Sequence, residues 1–156
     1  MSSYRDCALE GASAVDLVVA LYDGMIRFLH EAICAVESGD VVARRVAVKR
    51  TLDIIIHLQA RLRMDVGGRP AQALSEFYAS IFAQILQASQ SASRAKFEHT
   101  IACVRNVRDA WKQVANETGM RGNGSLIGAI GRSGGQSAEE ILAADSVNAA
   151  STIWTA

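Results

Sequence analysis

Three histidines and three cysteines are the residues of this chain best suited to chemistry, and their spacing decides what they can do. His30, His57 and His99 fall on three separate apolar-periodic stretches, none with a partner carboxylate or cysteine at a telling distance. A two-iron helical bundle needs Glu-x-x-His on facing helices. Here Glu31 and Glu98 stand directly beside a histidine instead, and Glu-x-x-His does not occur. Cys7, Cys34 and Cys103 show no CxxC spacing, so neither a zinc site nor a redox pair is expected. Cys34 and Cys103 read as small core hydrophobes and Cys7 as an exposed thiol. Gly122-x-Gly124 follows a helical stretch rather than a strand, and no lysine follows it, so it is not a phosphate loop. These residues predict no enzyme, no metal and no cofactor.

Composition narrows the remaining classes. The 156 residues suffice for one domain with one core. Formal net charge is zero, without the basic stripe that nucleic acid would require. No apolar run approaches the ~20 residues that span a bilayer, and no basic segment with a hydrophobic core opens the chain. An odd cysteine count fits a reducing compartment, and a soluble cytosolic protein is expected. Aromatics are only 6% and Pro70 is the one proline, which favours helix over sheet.

Four helices must position whatever this chain binds. The first starts after Ser13, with Asp16 completing a capping-box pattern, and runs to Ser38, where Gly39-Asp40 breaks it. Leu17, Leu21, Met25, Phe28, Leu29 and Ile33 form its apolar stripe. Gly24, inside this helix, implies a closely packed neighbour. The second helix covers Val41 to Met64, on Val42, Val46, Leu52, Ile55, Leu58 and Leu62. Gly67-Gly68-Arg69-Pro70 stops it. The third runs from Ala71 to Ser89 and the fourth from Arg94 to Asn116, with Gly119 closing it. Short connections favour antiparallel neighbours. The expected fold is therefore all-α, an antiparallel up-and-down four-helix bundle over residues 14–118. Residues 1–13 form a flexible N-terminal segment, and the Gly-rich 119–156 a flexible tail with a short helix near 137–145.

The first two helices carry more apolar surface than a simple bundle buries. Val18, Val19 and Ile26 widen one stripe, and Ile54 and Ile56 flank the other. Such an excess implies grooves that something else covers. The alternative is a homodimer interface, as in a self-associating bundle or regulatory adaptor. Asp23 is expected to pair with Arg27 one turn on, and Arg44, Arg45, Lys49 and Arg50 to form a solvated face. Trp154 fits either an anchor on a partner or an exposed aromatic.

An ordered set of short strings resembles one family. Leu21-Tyr22-Asp23-Gly24 with Arg27-Phe28-Leu29 is similar to the first helix of the FliS family, the cytosolic export chaperones of bacterial flagellin. Tyr4 stands thirteen residues before Leu17, as the family's N-terminal tyrosine does, and Ser38-Gly39-Asp40 resembles its first turn. Arg50 through Leu62, Asp65-Val66-Gly67-Gly68, Leu74 with Phe77-Tyr78, and Val107-Arg108-Asp109-Ala110-Trp111 follow in family order. The resemblance covers residues 4–115. Ala14 departs from the usual proline, Ser89 from the usual asparagine, and Met64 from the usual leucine.

The resemblance implies binding rather than a reaction. The client would be the disordered C-terminal segment of flagellin, held in apolar grooves and delivered to the export-gate component FlhA. Leu17, Leu21, Tyr22, Ile26 and Leu29 of the first helix are the expected groove residues, with Ile55 and Leu58 of the second and Tyr78, Phe82 and Ile85 of the third. Tyr4 and Leu9 match the N-terminal strand that covers a groove when the client is absent and contacts the gate.

Overall fold

A computed structural model of the chain describes residues 3–121 and 153–154, with side chains from residue 14 through 117 and at 153 and 154. Four helices account for the bundle: α1 Ser3–Ser38, α2 Val41–Ala60, α3 Gly68–Gln90 and α4 Arg94–Arg121. Each is antiparallel to the next. Around the bundle the order is α2, α1, α4, α3, so α1 packs on both α2 and α4, and α3 lies diagonally across from α1. The bundle is the up-and-down arrangement expected from the short connections.

Local chemistry sets the turns. Gly39 takes φ +71°, and its N–H donates to Val36 O while Asp40 N–H donates to Ala35 O. That pair of bonds is a Schellman stop, which favours glycine at the left-handed position. Asp40 then caps α2 by accepting from Ala43 N–H at 2.9 Å. At the next top turn Ala92 adopts φ 45°, and Ser93 Oγ accepts from Lys96 N–H to start α4.

Four helix boundaries differ from the sequence expectation; α3 begins at Gly68 rather than Ala71, taking Arg69 and Pro70 into its first turn, where proline's missing N–H is no loss. α1 begins at Ser3, so Ser13 lies within it and residues 3–13 have helical backbone. Ala14 explains the continuation: unlike proline it keeps its N–H, and alanine is the best helix former. α2 ends at Ala60 rather than Met64, because Arg63 N–H is donated to Ile153 O instead of along the helix. α4 passes through Gly119 to Arg121. The expected helix near 137–145 lies outside the described residues.

The buried face of α1 keeps Met25, Leu29 and Ile33 of the expected stripe but replaces Leu17, Leu21 and Phe28. Val15, Val18, Tyr22, Met25, Ile26, Leu29 and Ile33 are buried, while Leu21 and Phe28 are half-buried and Leu17 is 53% exposed. A helix packed on two neighbours buries a wide arc, so the spacing of apolar residues did not define one stripe. In α2 small residues take over the first half of the core face: Ala47, Val48 and Thr51 are buried, and Val42 is 72% exposed.

Charged and polar contacts fix the register of the α1–α4 pair. Arg108 pairs with Asp23 at 2.9 Å, and Arg94 pairs with Glu37; the same fourteen residues separate the partners on each helix. Asp23 thus bonds to α4 and not to Arg27, whose guanidinium lies over the Phe28 ring with Arg50 on the same ring. Exposed pairs of this kind contribute about 0–1 kcal/mol each, so they select register more than they add stability.

Two core details give testable consequences. Tyr22 and Tyr78 are fully buried and share an Oη–Oη hydrogen bond of 2.7 Å across the α1–α3 diagonal. Burial pushes both phenols well above their ordinary range, so both stay neutral. Tyr22→Phe leaves the other hydroxyl buried without its partner, and should cost about 1–3 kcal/mol in chemical denaturation. The Tyr22→Phe, Tyr78→Phe double variant should recover most of that loss. At Gly24 an added methyl would lie 3.4 Å from Ile54 Cδ1. The expected close neighbour is there, but it is the end of a side chain. Gly24→Ala should therefore raise stability by about 0.5–1 kcal/mol through helix propensity, read as a higher Tm.

Candidate functional site

Between α2 and α3 the surface opens into an apolar groove of about 380 Å³, lined by Ile55, Ile56, Gln59, Ala60, Ser75, Tyr78, Ala79 and Phe82. Gln59 Nε2 donates to Ser75 Oγ at 3.0 Å between the two helices. Elsewhere the seam presents carbon. Ile56 is 56% exposed on the α2 lip, and Leu86, one turn beyond Phe82 on α3, is 46% exposed. The small side chains Ala60, Ser75 and Ala79 leave the space between the larger ones unfilled. An apolar trough with a few polar groups at its edge suits an amphipathic helix or an extended apolar segment.

The ten expected groove residues do not form one surface. Ile55, Tyr78 and Phe82 line the groove. Tyr22, Ile26, Leu29, Leu58 and Ile85 belong to the buried core, along with the inner sides of Ile55 and Tyr78. Leu17 and Leu21 lie on α1, on the far side of the bundle from α3, the first exposed and the second half-buried. Tyr4 and Leu9 fall on the helical N-terminal length of α1, and their side chains lie outside the described residues. A strand across a groove is thus replaced by helix at these two positions.

Ile56, Gln59, Ala60, Ser75 and Ala79 complete the lining and were absent from the expected set. The signal for Ile56 was its place beside the α2 stripe. Nothing in the spacing of two alanines and a serine could have distinguished groove floor from ordinary surface. The cysteines also differ from expectation. Cys34 is exposed, and Cys103 is half-buried with Sγ 3.8 Å from His99 Nε2 on the next turn. On helices with wide apolar arcs, small residues at the arc's edge are left outside the core.

A family model described as flagellar protein FliS matches residues 1–118. The chain belongs to the FliS family. Curated relatives carry the name flagellar secretion chaperone FliS. The Salmonella typhimurium protein is 33% identical over 111 residues, covering 70% of this chain and 82% of the relative. The Vibrio cholerae protein is 30% identical over 112 residues, covering 72% and 82%. The Bacillus subtilis protein is 22% identical over 112 residues, covering 72% and 83%. FliS is a chaperone family, not an enzyme family, which agrees with the scattered histidines and cysteines. No described helix is long and apolar enough to cross a membrane.

The groove itself can be tested without any client. It should take up an apolar dye such as anilinonaphthalene sulfonate. Ile56→Lys should reduce dye binding severalfold while changing stability by no more than about 0.5 kcal/mol, because the side chain is largely exposed. Equal dye fluorescence for the variant and the parent chain would place the accessible apolar surface elsewhere.

Proposed function

We propose that the chain is a cytosolic chaperone holding the disordered C-terminal segment of flagellin, and that the α2–α3 groove is a principal contact. The supporting observation is the exposed apolar seam of Ile56, Phe82 and Leu86 over Ile55 and Tyr78, in a member of a flagellar chaperone family. A client segment lays its apolar side chains into the trough at helical spacing. Ordering such a client costs about 2–5 kcal/mol, so one groove does not suffice. Leu17 and Leu21 on α1 extend the surface, and Tyr22, Ile26, Leu29, Leu58 and Ile85 support it from the core. With its apolar side chains covered, flagellin cannot assemble in the cytosol. Tyr4 and Leu9, on the N-terminal length of α1, are the proposed contact with the export-gate component FlhA.

A second reading is self-association, favoured by the exposed Val41, Val42 and Val46 at the start of α2. Calorimetric titration with the C-terminal segment of the same organism's flagellin separates the two. The expected result is one-to-one, sub-micromolar binding with a negative heat-capacity change. Ile56→Lys should weaken it about 10–100-fold, the worth of one buried isoleucine. No heat of binding, together with a stable dimer in light scattering, would support self-association and defeat the flagellin assignment.

A further inference from the structure

α2 is the shortest helix and stops at Ala60. Its Gln59 faces Ser75, seven residues inside α3, so α3 continues roughly 10 Å beyond the last turn of α2. The far C-terminus of the chain covers the core at this end. Ile153 and Trp154 are 1% and 7% exposed. Ile153 O accepts from Arg63 N–H at 2.7 Å, and Trp154 forms an antiparallel bridge with Leu62. The Trp154 ring lies 6.4 Å from Tyr78 and 5.8 Å from Trp111, centroid to centroid. Neither an exposed aromatic nor an anchor on another protein, Trp154 is seated on its own bundle.

Its seat adjoins the client groove. Tyr78 belongs to both, and Ala60, the last α2 residue of the groove, is two residues from Leu62. Two features make the seated dipeptide a replaceable occupant rather than a fixed part of the core. Among the described residues its backbone is tied through the Leu62–Trp154 bridge, to which the Arg63 N–H to Ile153 O hydrogen bond belongs. Trp154 Nε1 is buried without a partner among the described residues, so a segment that brings an acceptor to that point fits better. The family match ends at residue 118, so this device lies outside the shared part of the chain.

We propose that Ile153–Trp154 is a tethered stand-in for client, which covers the apolar surface adjoining the α2 end of the groove in the free chaperone and leaves when flagellin binds. This proposal rests on the flagellin assignment above. A covalently tethered occupant acts at an effective concentration on the order of millimolar, enough to close an apolar site yet yield to a tighter ligand. It would keep the groove from capturing unrelated apolar segments.

The test uses the full-length chain with Ile153→Asp and with Trp154→Ala, titrated with the C-terminal segment of flagellin. Removing the closed state should tighten binding about ten-fold, because a larger fraction of the protein is open to the client. In the unaltered chain, hydrogen exchange at the Arg63 amide should accelerate when flagellin is added, while amides of α1 and α4 stay protected. Unchanged or weaker affinity in folded variants overturns the proposal while leaving the flagellin assignment intact. So does an Arg63 amide that stays protected in the complex. Should circular dichroism show that the variants have lost their helices, the Arg63 exchange in the unaltered chain decides alone. Absence of flagellin binding by every form overturns both.

Discussion

The interior of this bundle is organised around a polar contact between two diagonal helices, the buried hydrogen bond between Tyr22 and Tyr78; the buried Thr51 and Thr100 hydroxyls donate to their own helices. Two hydroxyls on diagonal helices can both be buried only if each serves the other, because a phenol stripped of water without a partner costs more than the hydrophobic gain of its ring edge. The contact therefore fixes the rotation and height of α1 relative to α3, which share no direct seam. Around it sit Trp111 and Trp154, ring next to ring. The aromatic cluster links three helices and the C-terminus at the level where α2 ends. Since Tyr78 also lines the α2–α3 groove, the constraint that orders the core also sets one wall of the candidate site.

The fold was legible because it depends on repeated features. Four long periodic stretches with Gly39-Asp40 and Gly67-Gly68 between them leave few alternatives to an antiparallel bundle. What the residues left ambiguous was rotation. Along α1 nearly every side carries an apolar residue, so Leu17 and Val18 are equivalent on paper and only packing distinguishes them. Asp23 chose Arg108, eighty-five positions away, over Arg27. A local rule of four-residue spacing cannot foresee a tertiary competitor. Helix ends failed for a related reason, since α2 gives up its last turn to Ile153, a residue far outside any window centred on Met64.

The candidate site was legible in kind and not in place. Of the residues read as apolar excess on the first two helices, Val18 and Ile26 are taken up by the core and only Ile56 stays largely exposed, while Val42 and Val46, expected in the α2 stripe, remain at the surface. Yet most of the large residues named for the groove are the ones the core consumed. A bundle buries its largest apolar side chains first, since each contributes about 1.5–3 kcal/mol when removed from water. A groove is instead left where small residues do not fill the space between two helices. Ala60, Ser75 and Ala79 are those residues here, and such positions carry no hydrophobic signature to read.

On the proposed reading, in which the chain holds a disordered client, affinity conflicts with its own solubility. Apolar surface wide enough to order a disordered segment is also wide enough to stick to copies of itself. α2 shows how the chain divides the two demands. Lys49 and Asp53 form an ion pair on its outer face, between the exposed valines and Ile56, so charge interrupts the apolar surface away from the groove. At its C-terminal end the seam meets Ile153 and Trp154, and there the apolar surface is covered by the chain itself. Charge can stay in place because a client does not need that face; a cover on the groove has to be displaceable. A tryptophan whose Nε1 has no partner among the described residues meets that requirement, whereas a fully hydrogen-bonded one would compete with the proposed client too well.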